Sequence, residues 1–225
     1  MSPMGIVEKN LIAVNSIIND TLKASQKEAN AANLIAVSKT IGQEAIEEAL
    51  AAGQRLFGEN RVQEAQEKWE DLKKTYPDIQ LHLIGPLQTN KVSTAVGLFD
   101  VIQAIDRVKL AKAVARHMGQ SGQRPQCFVQ VNTGKEPQKA GILPEETDEF
   151  IQFCKFQLNL PIEGLMCIPP HEDEPSLHFG LLREIALRNN ISELSMGMSA
   201  DYKIAIQFGA TYVRIGTSIF GSRTP

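Results

Sequence analysis

Apolar residues recur every three or four positions at Val7, Leu11, Val14, Ile18 and Leu22, which predicts one buried stripe of an amphipathic helix over residues 5–25. Glu8, Asn15 and Lys23 fall elsewhere on its circumference. The period then changes. Residues 34–37, LIAV, form a short unbroken apolar run suited to a buried strand, and IGQEAIEEALAAG returns to helical spacing until Gly53 stops it. The same alternation continues to the end of the chain. RLFG, IQLHLIG, DVIQAI, QCFVQVN, IEGLMCI, ELSMGMS and TYVRIG read as strands, and helical segments separate nearly all of them. Asp106 is placed to cap the helix after the fourth strand, and Pro144 lies near the entrance of the helix after the fifth.

Eight short strands alternating with helices imply parallel pairing through βαβ units. Their even spread favours a single closed (β/α)8 barrel over residues 1–225, with an open doubly wound sheet as the alternative. The final TSIFGSRTP is too short for a full helix, so the N-terminal helix is expected to pack near the barrel closure and cover strand eight.

Composition narrows the class without changing that picture. The chain is 43% hydrophobic and 22% charged, ordinary for a soluble globular protein, and its net charge of -3 gives no general attraction to nucleic acid. The densest basic pair, Lys73-Lys74, lies beside acids. Cys127, Cys154 and Cys167 are odd in number, widely separated and set among apolar residues, which reads as buried free thiols rather than a zinc site. With no signal-peptide pattern and no membrane-length apolar run, a reduced cytoplasmic setting is the expectation.

Barrels of this kind gather ligands and reactive side chains at the C-terminal ends of their strands. There the sequence offers Ser38 and Lys39 after strand one, Glu59 and Asn60 after strand two, and His82 and Gly85 in and after strand three. Asn132 follows strand five, Met166 and Cys167 close strand six, and Met198 and Ser199 close strand seven. Strand eight supplies Arg214, Gly216, Thr217 and Ser218. In VRIGTSIFG, a glycine allows close backbone approach and two hydroxyls stand at the start of a helical turn, a pattern suited to phosphate. A lysine at the barrel mouth is partly desolvated, which favours its free, nucleophilic amine. Amine and phosphate cup together suggest a Schiff base, in either a lysine aldolase of sugar phosphates or a pyridoxal 5′-phosphate (PLP) site.

The blocks IAVSKT, FGENRVQEAQEK, HLIGPLQTNK, GLMCIPP, LSMGMSADY and VRIGTSIFG closely resemble the pyridoxal phosphate homeostasis proteins, the YggS/PROSC family, over nearly the whole chain and in order. The resemblance implies the barrel of PLP fold type III, without the C-terminal β domain of alanine racemase. It implies that Lys39 carries PLP as a Schiff base, that Ser199, Gly216 and Thr217 hold the phosphate, and that Asn60, His82 and Met166 surround the cofactor. Arg214 matches the arginine that racemase-like barrels aim at the pyridine nitrogen. An arginine only donates, so that nitrogen stays unprotonated and the ring is a poor electron sink.

Racemases compensate with a second base, a tyrosine from another domain. Of Tyr76, Tyr202 and Tyr212, only Tyr202 is expected near the site. Lys139, in the loop NTGKEPQKAG, reads as a solvated charge, although Asn132, Lys139 and Gly141 could close over the site. The expectation is therefore a monomeric PLP carrier without clear catalytic activity, with no metal and no membrane. PLP-dependent apo-enzymes or a regulatory protein are its implied partners. A low-activity PLP amino-acid racemase and a lysine aldolase on a phosphorylated substrate are the alternatives.

Overall fold

The computed structural model describes residues 4–221; residues 222–225, the end of TSIFGSRTP, lie outside the described residues. Eight parallel strands close into a barrel in simple sequence order. They are β1 (Asn33–Val37), β2 (Leu56–Glu59), β3 (Gln80–Leu83), β4 (Val101–Ile105), β5 (Gln126–Val131), β6 (Ile162–Cys167), β7 (Glu193–Ser195) and β8 (Tyr212–Ile215). Closure is made by β1 against β8, where Leu34 pairs Val213 and Ala36 pairs Ile215.

Around the barrel lie α1 (Ile6–Ala24), α2 (Gln43–Ala51), α3 (Val62–Thr75), α4 (Val92–Leu98) and α5 (Val108–Ser121). They are followed by α6 (Thr147–Gln152), α7 (Pro175–Arg188), α8 (Tyr202–Gln207) and α9 (Thr217–Phe220). Because α9 is a single turn, the helical layer would be open beside β8. The first helix fills that gap: α1 packs on α2, α8 and α9, and its five-residue stripe from Val7 to Leu22 is buried as the spacing predicts. Each such aliphatic side chain contributes about 1.5–3 kcal/mol on burial. The start of α1 has no cap of its own. Glu48 on α2 supplies one, accepting from the amides of Val7 at 2.8 Å and Glu8 at 3.2 Å. Asn10 ties the same helix to α9 by donating to the Ile219 carbonyl at 2.8 Å.

Two expectations of local structure are corrected. Asp106 does not cap α5, because its carboxylate is taken by the Arg107 guanidinium. The helix expected after strand five begins only at Thr147 and widens after Gln152 into a π turn, Phe153–Gln157. This wide turn buries Cys154 while leaving Phe156 exposed. Gly53, by contrast, follows α2 with φ +91°, the left-handed conformation that ends a helix.

Strand alternation divides the core into two layers. Outward residues such as Leu34, Ala36, Phe57, Leu81 and Ile102 meet the helices, with the Trp69 ring of α3 tilted against Phe57 at 4.7 Å. Inward, Val101, Phe128 and Met166 with Tyr212 form an apolar floor. Above that floor the interior turns polar: His82, Gln103, Ser195 and Arg214 are all buried.

Candidate functional site

At the C-terminal ends of the strands is a cavity of about 420 Å³. Its lining comes from nearly every strand end: Lys39 after β1, Asn60 after β2, Gly85 after β3, Gln130 on β5, Ser199 after β7, and Arg214 with Thr217 around β8. Among the described residues, Lys39 and Arg214 are the charged residues of this lining. A cavity lined by two cations and two hydroxyls suits an anionic ligand.

Local backbone explains how these groups reach one place. Alternation turns Val37 and Lys39 into the cavity and sends Ser38 to the helix layer. Gly197 has φ +90°, and a Cβ there would lie 2.5 Å from the Ala205 methyl and 2.9 Å from the Tyr202 Cα. Only glycine permits the chain to turn there, carrying Met198 and Ser199 to the mouth. Asp201 then fixes this loop by accepting from the Met198 amide at 2.6 Å. On the neighbouring strand end, after β8, Gly216 lies so close to β1 that a Cβ would come within 3.1 Å of the Val37 carbonyl. This leaves the hydroxyl and first-turn amides of α9 beside the cavity.

Arg214 is the most constrained of these groups. It is only 4% exposed, and it donates to Ser195 Oγ at 2.7 Å and to the Cys167 carbonyl at 2.8 Å. Among the described residues it has no carboxylate partner within ion-pair distance, and burial lowers its pKa. A guanidinium carries five N–H donors, so the two bonds leave donors for a ligand.

A hydrogen-bond chain of fixed direction starts there. Because Arg214 can only donate, Ser195 accepts from it and passes its own hydroxyl proton to Gln103 Oε1 at 2.6 Å. The Gln103 amide nitrogen then donates to His82 Nδ1 at 2.9 Å, which leaves the His82 proton on Nε2, facing Gln80 Oε1 at 3.3 Å. His82 is thus a neutral imidazole, and burial pushes its pKa down to about 3.

Six of the eight residues that the resemblance assigns to the cofactor therefore line one cavity: Lys39, Asn60, Ser199, Arg214, Gly216 and Thr217. His82 and Met166 do not. Their positions on β3 and β6 point into the barrel below the mouth, where His82 joins the polar chain and leans on Tyr212 at 5.4 Å. Met166 packs into the apolar floor. Tyr202 is buried and belongs to the neighbouring surface by Ser218, not to this cavity. Of the loop after β5, Ala140 lines the cavity, whereas Asn132, Lys139 and Gly141 do not. Lys139 there is not a loose charge: it pairs with Glu136 and donates to the Pro169 carbonyl at 3.3 Å. Gln130 and Ala140 escaped the sequence reading; inward alternation along β5 was the signal for Gln130.

Burial raises the pKa of all three thiols, to about 12 for Cys154 and Cys167. Among the described residues, no group of three or more His, Cys, Asp or Glu could hold a metal, and no helix is long and apolar enough to cross a membrane.

The chain, a parallel barrel with an amine and a buried guanidinium at its mouth, matches the family model of the alanine racemase N-terminal domain over residues 14–224. Alanine racemase of Clostridium difficile 630 shares the fold at 12% identity, with a TM-score of 0.75 over 98% of this chain and 57% of that one. More similar relatives make the assignment narrower. The pyridoxal phosphate homeostasis protein of Aquifex aeolicus is 39% identical over 86% of this chain and 88% of its own. That of Escherichia coli K12 is 36% identical over 98% of both. PipY of Synechococcus elongatus PCC7942, solved with PLP bound, is 37% identical with a TM-score of 0.78, over 91% of this chain and all of its own. The chain belongs to the pyridoxal phosphate homeostasis protein family.

Proposed function

We propose that this chain is a monomeric PLP carrier that serves the homeostasis of that cofactor, holding it covalently on Lys39 and giving it up again. When bound, PLP supplies an aldehyde that condenses reversibly with an amine, forming a C=N bond and releasing water. Lys39 is the amine at the cavity. Ser199, Thr217 and the close backbone at Gly216 are suited to hold the phosphate, and Asn60 lines the same cavity. Arg214 would meet the pyridine nitrogen as a pure donor, because two of its five N–H groups are engaged, others are left for a ligand, and a guanidinium cannot accept a proton. That keeps the ring a weak electron sink, which favours holding over carbanion chemistry.

The observation that carries the carrier reading is the make-up of the cavity: among the described residues its lining has one amine and one guanidinium, and no carboxylate, histidine or tyrosine to act as a second acid or base. His82, which the sequence offers as an acid or base, is held neutral in the barrel interior.

The test is an absorption spectrum of the purified protein before and after borohydride, with the modified peptide located by mass spectrometry and a parallel racemase assay. A visible band, reduced and trapped at Lys39, with no turnover, is the expected result. Multiple turnovers of an amino acid would make it an enzyme. A colourless protein that also fails to take up added PLP would overturn the reading and turn attention to a phosphorylated aldolase substrate. Sedimentation showing a stable dimer at micromolar concentration would refute the monomer.

A further inference from the structure

The barrel grips the backbone on both sides of Lys39 from behind. Ser38, pointing away from the cavity, donates its hydroxyl to Glu59 Oε1 at 2.7 Å. Lys68 of α3 donates to the Ser38 carbonyl at 2.8 Å and is held between two carboxylates, Glu64 at 2.6 Å and Glu59 at 3.3 Å. Glu64 in turn accepts from the Thr40 amide. Trp69 completes the cluster by donating to Glu59 Oε1 at 3.1 Å.

Two features set this cluster apart from an ordinary ion pair. The first is where its bonds end: on Ser38 and Thr40, the immediate neighbours of Lys39. The second is that Thr40 has φ +61°, a conformation that a β-branched residue adopts only when its surroundings impose it. Glu59 is itself fully buried, with three donors on Oε1 and no hydrogen-bond partner on Oε2. A carboxylate left so one-sided is a costly choice for stability alone. The bonds it does make all serve the segment that carries Lys39 or the helix that braces it.

We propose that Lys68, anchored between Glu59 and Glu64, is a positioning residue that holds the strained turn at Thr40 and so presets the Lys39 amine toward the cavity. The proposal rests on Lys39 being the covalent residue, and its readouts are chosen to separate the two. In the PLP-free protein, Lys68→Met is expected to speed exchange of the Thr40 amide at least about tenfold, since the charge-assisted bond to the Ser38 carbonyl is lost and Glu64, which accepts from the Thr40 amide, loses the cation that anchors it. Reductive methylation of Lys39 should slow by a similar factor relative to the other lysines. Affinity for 4-deoxypyridoxine 5′-phosphate, which has the phosphate but no aldehyde, should change less than about twofold, because Lys68 lies outside the cavity lining. Lys68→Arg, which restores a cation, should recover part of both effects.

Unchanged Lys39 methylation in Lys68→Met would overturn the proposal. So would loss of the deoxy analogue in parallel with the other effects, which would mean a general loosening of the barrel. If Lys68→Met does not fold, Ser38→Ala removes one bond to Glu59 and is read the same way with smaller shifts. A borohydride tag on some other lysine would sink the reading of Lys39 itself while leaving the Thr40 exchange result interpretable.

Discussion

The locked tautomer of His82 has a consequence for acid stability that can be worked through. The folded imidazole stays neutral until about pH 3, whereas the unfolded chain protonates at its ordinary value of 6.5. Below pH 6.5 the unfolded state therefore binds a proton that the folded state refuses, and stability falls as the pH is lowered from 6.5 toward 3. Each unit contributes about 1.4 kcal/mol. At about pH 4.5 the loss from this one residue is about 2.7 kcal/mol, a sizeable share of a typical domain's stability. The perturbation is His82→Asn, whose side-chain oxygen can stand in for Nδ1 as the acceptor from Gln103 without titrating. Urea unfolding of both proteins at pH 7 and about pH 4.5 isolates the effect, since every other group cancels in the difference. The gap between wild type and variant should shift in the variant's favour by about 2–3 kcal/mol on acidification. An unchanged gap would refute the reasoning, as would imidazole ¹⁵N shifts showing a folded His82 that protonates between pH 5 and 7.

Leu11→Ala empties a buried position on the stripe by which α1 covers the closure; it should cost about 3 kcal/mol in urea unfolding and increase protease cleavage near α9. Cys154 and Cys167, with thiols pushed up to about 12, should resist a thiol reagent at about pH 8 in the folded protein, and all three cysteines should react at once in denaturant. Gly164→Ala should cost about 1–3 kcal/mol and perturb the near-ultraviolet spectrum, because a Cβ there would sit 2.4 Å from the Phe128 ring in the barrel floor.

Period and punctuation carried the fold. All eight strands and the covering role of α1 follow from local pattern, because each element buries one face and the spacing of apolar residues records which. The errors lie where pattern is silent: at Asp106, which a neighbouring arginine claims, and in the π turn after Gln152, where a helix takes in an extra residue without changing its composition.

The site divides along a similar line. Lys39, Asn60, Ser199, Arg214, Gly216 and Thr217 stand at strand ends, and the topology of a parallel barrel alone brings strand ends together. Depth within a strand is another matter. His82 and Met166 sit one step below the mouth, and a linear pattern does not say how far down the barrel a side chain falls. Nor could the sequence join Arg214 to Ser195, Gln103 and His82, or Lys68 to the turn behind Lys39. Those links run between residues far apart in the chain, and their direction depends on which atom donates. Local sequence specifies which face of each element is buried; only closure of the barrel decides which polar groups meet inside it, and in what protonation state.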